Sequence, residues 1–150
     1  MKIRCIANTG ASLPEHYLDP NGGYTRDLKY GLTIGKEYVV YAFYEWEGEI
    51  WYYIADDDYM YYPMQNPAPL FEVVDDRLSK YWRFNLRQDG LLRVAFSQWF
   101  TVPYFYDKLT DQEPAEVDLF KRIKALMDLE AETPPEAIET AEKELATAPV

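Results

Sequence analysis

The β-hairpin predicted at residues 37–56 constrains the fold more than any other part of the chain, because both of its faces are apolar. Residues 37–46 read "EYVVYAFYEW" and residues 49–56 read "EIWYYIAD", with Glu47-Gly48 between them. Aromatic and β-branched residues at this density predict two strands, and the short polar step predicts a tight turn. A sheet with one solvated face would show a polar residue at every second position. We therefore expect the second face to be covered by the terminal helices or left open as a binding surface.

Shorter segments on both sides of this hairpin predict further antiparallel strands. They cover residues 2–7, 59–62 and 70–76, and a second hairpin pairs 81–86 with 91–100 through the turn "RQDG".

The segment between the first two strands, residues 8–33, is rich in Gly, Pro, Asn and Asp and predicts a long loop. A loop of this length in a compact domain is usually functional.

Two helices are predicted after the strands. Thr110 and Glu113 have the spacing of a capping box, and apolar residues then recur every three or four positions, so residues 111–130 predict an amphipathic helix. The same capping spacing precedes a second predicted helix over 134–146, whose apolar face is thin.

Several short strands followed by a helix pair predict an α+β fold. We expect a small antiparallel β-barrel or strongly bent sheet over residues 1–110, with the long loop inside it. Residues 111–150 are expected to form a C-terminal helical extension packed on the same domain.

Three segments carry a resemblance to a known fold family: "LTIGKEYVVYAFY", "WYYIADDD" and "PAPLFEVVD". Over about residues 30–76 the chain resembles the SH3-like small barrels of bacteria, in which a long loop precedes an L-x-x-G-x-x-Y-x-V strand. The resemblance implies an SH3-like barrel. In size, acidity and accessory helices the chain is also similar to bacterial immunity proteins, which implies that it neutralises a toxin.

Charge is strongly segregated along the chain, whose net charge is −11. Residues 37–76 hold ten Asp and Glu and no Lys or Arg, whereas residues 77–108 hold six basic and two acidic residues. Phosphate binding needs a basic footprint, so this distribution disfavours nucleic acid as a partner. It favours a basic protein.

Catalytic and metal-binding motifs are weak. Cys5 and His16 are the only residues of their types, and zinc sites draw on several such ligands. We expect a structural thiol and a surface imidazole, and no metal or cofactor. Phosphate-loop and serine-hydrolase motifs are missing, while a hydrolase built on a carboxylate pair stays open as an alternative.

The location follows from what the sequence lacks. The start of the chain has no apolar signal segment, and no apolar run approaches the roughly 20 residues that span a bilayer. One cysteine allows no internal disulfide, so we expect a cytoplasmic protein without a membrane association.

The leading hypothesis is a non-enzymatic, acidic protein-binding module, of the immunity or inhibitor type, that docks a basic partner such as a nuclease toxin. An alternative is an SH3-like domain that binds an extended or Pro-rich peptide. Tyr and Trp are usual interface anchors and carboxylates pair with basic partners. The predicted partner-binding residues are Glu45, Trp46, Glu47, Glu49, Trp51, Asp56, Asp57, Asp58, Tyr59 and Tyr61.

Overall fold

Seven strands form one mostly antiparallel sheet in the computed structural model, which describes residues 1–133 and 143–147. The strands are β1 Lys2–Cys5, β2 Glu37–Trp46, β3 Glu49–Ile54, β4 Met64–Pro67, β5 Phe71–Asp75, β6 Trp82–Leu86 and β7 Leu92–Phe96. The helices that follow are α1 Ser97–Thr101, α2 Phe105–Thr110 and α3 Pro114–Glu132. The predicted α+β class and both predicted hairpins are confirmed.

The sheet is organised around β2, which changes its partner along one edge. On one side β2 pairs with β3, whereas on the other it pairs first with β1 and then, from Phe43 to Glu45, with β7. The strand order is β4-β3-β2-β1-β5, with β6 and β7 branching from β2. The expected barrel is wrong, because the sheet stays open. The strands β1 and β7 pair with different parts of β2 and diverge, so the sheet does not curl until its outer strands meet.

A β-bulge at Tyr41 allows the middle of β2 to be buried on both sides. The register with β3 shifts between Val40 and Ala42, and these two residues and Tyr41 are all buried. A bulge re-aims the side chains around it. Here it turns Tyr41 toward α3, where its ring meets Phe120 at a centroid distance of 5.6 Å and its hydroxyl donates to Asp128 Oδ1 at 2.6 Å.

Helices α1 and α2 cover one face of the β2–β3 hairpin. The rings of Tyr53, Tyr44 and Trp99 pack against one another, and the Trp99 indole N–H donates to the Tyr44 hydroxyl at 2.7 Å. Tyr106 of α2 stacks on Trp99 at 5.3 Å. Neither of these two helices was predicted from the sequence.

The predicted strand at 59–62 is wrong. The Tyr61 hydroxyl donates to the Thr110 carbonyl at 2.8 Å, which holds this segment against α2 as an irregular connection. A strand forms further along the chain instead, at Met64–Pro67, where it pairs with the outer edge of β3.

The predicted strand at 91–100 is too long, since β7 ends at Phe96 and α1 begins at Ser97. The helical turn places the Trp99 ring over the sheet, where it is buried. A continued strand would have carried this ring past the hairpin instead of onto it.

The main helix begins at Pro114, three residues later than predicted, and ends at Glu132. Thr110 is the last residue of α2, and its hydroxyl donates to the Asp107 carbonyl, so the predicted capping box does not form. The second predicted helix, 134–146, falls largely outside the described residues.

The long loop, residues 8–33, is ordered by three single 3-10 turns at Gly10–Ser12, Glu15–Tyr17 and Pro20–Gly22. Four of its apolar side chains are buried in the main core: Leu13, Tyr17, Tyr30 and Leu32. The loop is therefore part of the body of the protein. In the described part of the chain, no helix is long and apolar enough to cross a membrane.

Candidate functional site

The ten predicted binding residues lie in two groups at opposite ends of β3. One group surrounds the β2–β3 turn, from Glu45 to Trp51, and the other follows the strand, from Asp56 to Tyr61. Residues 52–55 separate Trp51 of the first group from Asp56 of the second by roughly 16 Å, at about 3.3 Å per residue. The structure therefore does not join them into one site.

Asp57 in the second group holds the fold together. Its carboxylate accepts hydrogen bonds from the Thr33 hydroxyl at 2.6 Å, the Lys36 ammonium at 2.7 Å and the Tyr38 hydroxyl at 2.9 Å. Partial burial acts to raise the pKa of Asp57, but these three donors outweigh it and hold the pKa below its usual range. The Asp57 carboxylate is thus already bonded within the protein.

The neighbours of Asp57 also contact other parts of the protein. Burial raises the pKa of Asp56, and the Asp58 carboxylate lies against Gly31, where an added Cβ would come within 2.0 Å of its Oδ2. Lys124 lies over the ring of Tyr59 at 5.7 Å, and Tyr61 bonds to α2 as described above. This group therefore contacts the protein itself, while Asp57 and Asp58 remain exposed.

The first group forms what we call the acidic tip: Glu45, Glu47 and Glu49. Glu47 and Gly48 both have positive φ, 49° and 84°, as a two-residue turn between twisted strands requires. The Glu45 carboxylate accepts the Gly48 N–H at 2.9 Å and so stiffens the turn.

No Lys or Arg pairs with the acidic tip in the described part of the chain. None of its three carboxylates has a Lys or Arg nitrogen within 4.0 Å, and residues 134–142 and 148–150 contain no Lys or Arg. Partial burial raises the pKa of Glu49, with a smaller opposing effect from His16. These carboxylates are therefore available to a cation from outside.

Aromatic rings support the tip from the side of the long loop. Tyr17 and Tyr24 pack on Trp51 at 5.7 and 5.4 Å, and the Tyr17 hydroxyl accepts the Ile50 N–H at 2.8 Å. These rings thus pack on one another beside the turn. Trp46, beside the turn, stays 36% exposed.

The other face of the sheet is only partly covered and is most exposed along β6. Cross-strand partners point to the same side, so the registers place two rows on one face: Phe84, Val94, Phe43 and Tyr52, and beside them Leu86, Leu92, Glu45 and Ile50. We call this surface the open face. Phe84 is 69% exposed and Leu86 59% exposed. The sequence left two possibilities for the second face of the hairpin, covered by helices or left open. In the structure one face of the sheet is covered by helices and the other is the open face.

An apolar hollow of about 220 Å³ lies at the β3 end of the open face. Its lining includes Phe43, Ile50, Tyr52, Val73 and Leu78. A hollow of this character suits the apolar side chain of a binding partner.

Other side chains that could take part in chemistry are already bonded within the protein. A larger hollow of about 390 Å³ is lined by several carboxylates, but Asp75 there is held by Arg77. The Cys5 thiol is buried and donates to the Ala7 carbonyl. No cluster of metal-ligating side chains occurs in residues 1–133 and 143–147.

The apolar residues of the open face were missed in the sequence. Their signal was the alternation in "WRFNL", in which Trp82, Phe84 and Leu86 share one side while Arg83 and Asn85 share the other. That pattern predicts a strand with an apolar face but does not indicate whether the face is covered.

Comparison of the chain with known protein families, with curated proteins and with solved structures finds no match.

Proposed function

We propose that this chain is a non-enzymatic protein-binding module that docks a basic protein. The observation that carries the proposal is the acidic tip. Among the described residues no Lys or Arg nitrogen lies within 4.0 Å of its three carboxylates, and Glu45 adjoins the apolar open face. Carboxylates of this kind steer a basic partner, and the apolar area beside them supplies the buried surface that a stable complex needs.

Charged and apolar residues have different roles in the proposed contact surface. Glu47 and Glu49 lie at the end of the hairpin, where they meet the partner first, while Glu45 lies in a row with Leu92 and Ile50. The apolar hollow beside Ile50 accepts an anchoring side chain.

The specific form of the proposal is a cytoplasmic immunity or inhibitor protein that neutralises a basic partner such as a nuclease toxin. Support for this form comes from charge, because a nuclease cleft must be basic to bind phosphate. The SH3-like alternative, an aromatic peptide groove, has less support, since Tyr17 and Tyr24 already pack on Trp51.

The experiment begins with the protein captured by the wild-type chain from its own cell. The association rate of the purified pair is then measured at low and high salt for the wild type and for the triple variant Glu45→Gln, Glu47→Gln and Glu49→Gln. Gln at position 45 still accepts the Gly48 N–H, so the turn is kept. We expect about tenfold slower association at low salt and a weaker salt dependence.

A matched control removes three exposed charges elsewhere: Asp107→Asn, Asp111→Asn and Glu113→Gln, near α2. This variant has the same net charge as the tip variant. Equal rates for the two variants would show that net charge alone acts and would refute the proposed surface.

A further inference from the structure

The outer edge of β6 is unpaired in the described part of the chain. β6 pairs with β7 alone, and the isolated bridges elsewhere involve other residues. An outer strand presents a row of backbone donors and acceptors that a further strand can use.

The turn between β6 and β7 determines which of these groups point outward. The Arg87 N–H donates to the Leu91 carbonyl at 2.9 Å, which makes this pair a hydrogen-bonded one. Hydrogen-bonded and non-bonded pairs alternate along an antiparallel ladder. Arg83 and Asn85 therefore bond to β7, and the intervening residues of β6 direct their N–H and C=O groups away from it.

Trp82 already has partners for its outward groups. Its N–H donates to the Ser79 carbonyl at 3.1 Å, and its carbonyl accepts from the Arg83 guanidinium at 2.9 Å. Phe84 and Leu86 remain, with two donors and two acceptors between them at the spacing of one strand repeat.

The side chains at this edge differ from those that usually protect an outer strand. Native edges are blunted by charge, proline or a bulge. The two residues with outward backbone groups, Phe84 and Leu86, instead carry large apolar side chains that are more than half exposed on the open face.

The opposite face of the edge is cationic. Arg83 is exposed, and Arg93 lies beside it on β7, bonded to the Asn85 side-chain oxygen at 2.8 Å. Neither guanidinium has a carboxylate within 4.0 Å among the residues that the structure describes. Opposite charges on neighbouring strands stabilise their pairing.

We propose that β6 is a strand-addition site for an extended segment that alternates apolar and acidic residues. Its backbone pairs with Phe84 and Leu86, its apolar side chains extend the open face, and its carboxylates meet Arg83. A second copy of the chain fits less well, because it brings the same arginines to the junction and a net charge of −11 to each partner. The site stands on other residues than the acidic tip, so either proposal can fail alone.

The test uses a blocked peptide of alternating Glu and Val, and a matched peptide of alternating Lys and Val. Hydrogen exchange and chemical shifts of the backbone amides are followed by NMR in the full chain. We expect the Glu peptide to protect the Phe84 and Leu86 amides specifically and to bind at least tenfold more tightly than the Lys peptide. Lack of protection at millimolar peptide, or equal binding of both peptides, would overturn the proposal.

Two variants distinguish the contribution of the Phe84 backbone to peptide binding from that of its side chain. Phe84→Pro removes an outward N–H without touching the β7 ladder, whereas Phe84→Thr keeps the N–H and removes the ring. We expect Phe84→Pro to abolish detectable binding and Phe84→Thr to weaken it less. If Phe84→Pro does not fold, a Glu-Val peptide N-methylated on the amides that face β6 replaces it, and undiminished binding of that peptide to the wild type refutes the pairing. Concentration-dependent dimers of the free chain that protect the same two amides would assign the edge to a second copy and refute the acidic partner.

Discussion

Asp57 receives side-chain hydrogen bonds from Thr33 and Lys36, which precede β2, and from Tyr38 at the start of β2. Its own N–H donates to the Gly31 carbonyl at 2.8 Å. One carboxylate thereby ties the end of the long loop to the end of β3. An aspartate cluster read from sequence is usually taken as solvated, yet this residue acts as a structural brace.

Replacing Asp57 with Ala should lower the free energy of unfolding by about 2 kcal/mol, because the three donors lose a charged acceptor. Asp58→Ala is the matched control, since no side-chain donor bonds to its carboxylate among the described contacts, and it should change stability by less than about 0.5 kcal/mol. Urea denaturation of both variants gives the comparison. Equal losses would contradict the role assigned to Asp57.

Asp75 makes a second residue-scale contribution, and this one depends on pH. Hydrogen bonds from Arg77, at 2.7 and 2.9 Å, lower the pKa of Asp75 to about 2. Since the folded pKa lies below the unfolded value of about 3.9, the stabilisation is complete above that value and is lost as the pH falls toward 2.

We therefore expect Asp75→Asn to be less stable than the wild type by about 2 kcal/mol at pH 6, and the difference to shrink as the pH is lowered from 4 to 3. Denaturant unfolding at several pH values tests this. A difference that stays constant over that range would mean that packing, and not the charge, accounts for the loss.

At the scale of elements, the attachment of α3 depends on the bulge in β2. Tyr41 is buried, and its hydroxyl reaches Asp128, which also binds Lys124 at 2.7 Å. Without the bulge, the alternation of β2 would turn this side chain differently relative to its neighbours.

Tyr41→Phe should cost about 1 to 2 kcal/mol of unfolding free energy, because it deletes a hydrogen bond to a carboxylate while keeping the ring. Tyr104→Phe serves as the control, as Tyr104 is 78% exposed. Thermal or urea unfolding measures both. If the two variants are equally stable, the hydroxyl does not contribute to holding α3.

Elements with strong local signals could be predicted from the sequence. The bounds of β2 followed from its β-branched and aromatic content, and the Glu47-Gly48 turn followed from the glycine, which accepts positive φ. The β6–β7 hairpin followed from its "RQDG" turn in the same way.

The remaining elements depend on contacts that local sequence does not encode. Residues 64–67, "MQNP", have little strand propensity and become β4 because the edge of β3 is free to pair with them. Residues 97–101 look like a strand but form α1, which buries Trp99. For the same reason the site was predicted only in part: the acidic tip was visible in the sequence, whereas the bonds of Asp57 and the open face are tertiary features.

At the scale of the whole molecule, the structure separates opposite charges on neighbouring hairpins. The β2–β3 turn carries the acidic tip, and the β6–β7 hairpin carries Arg83 and Arg93. The two proposed surfaces therefore select partners of opposite charge. One partner could engage both only if it offered a basic patch and an acidic strand about three strand spacings apart, roughly 14 Å.

The sharing of β2 also limits how the chain can be divided. The first strand in sequence pairs with the start of β2 and with β5, whereas the last two strands attach at the other end of β2. A cut after Asp75 would leave the Phe43–Glu45 edge bare, and removal of β1 would bare the opposite end. No truncation of this protein, in evolution or by experiment, can therefore remove a strand pair without exposing an edge of β2. Further segments can be added without breaking strand pairs only beyond the outer strands.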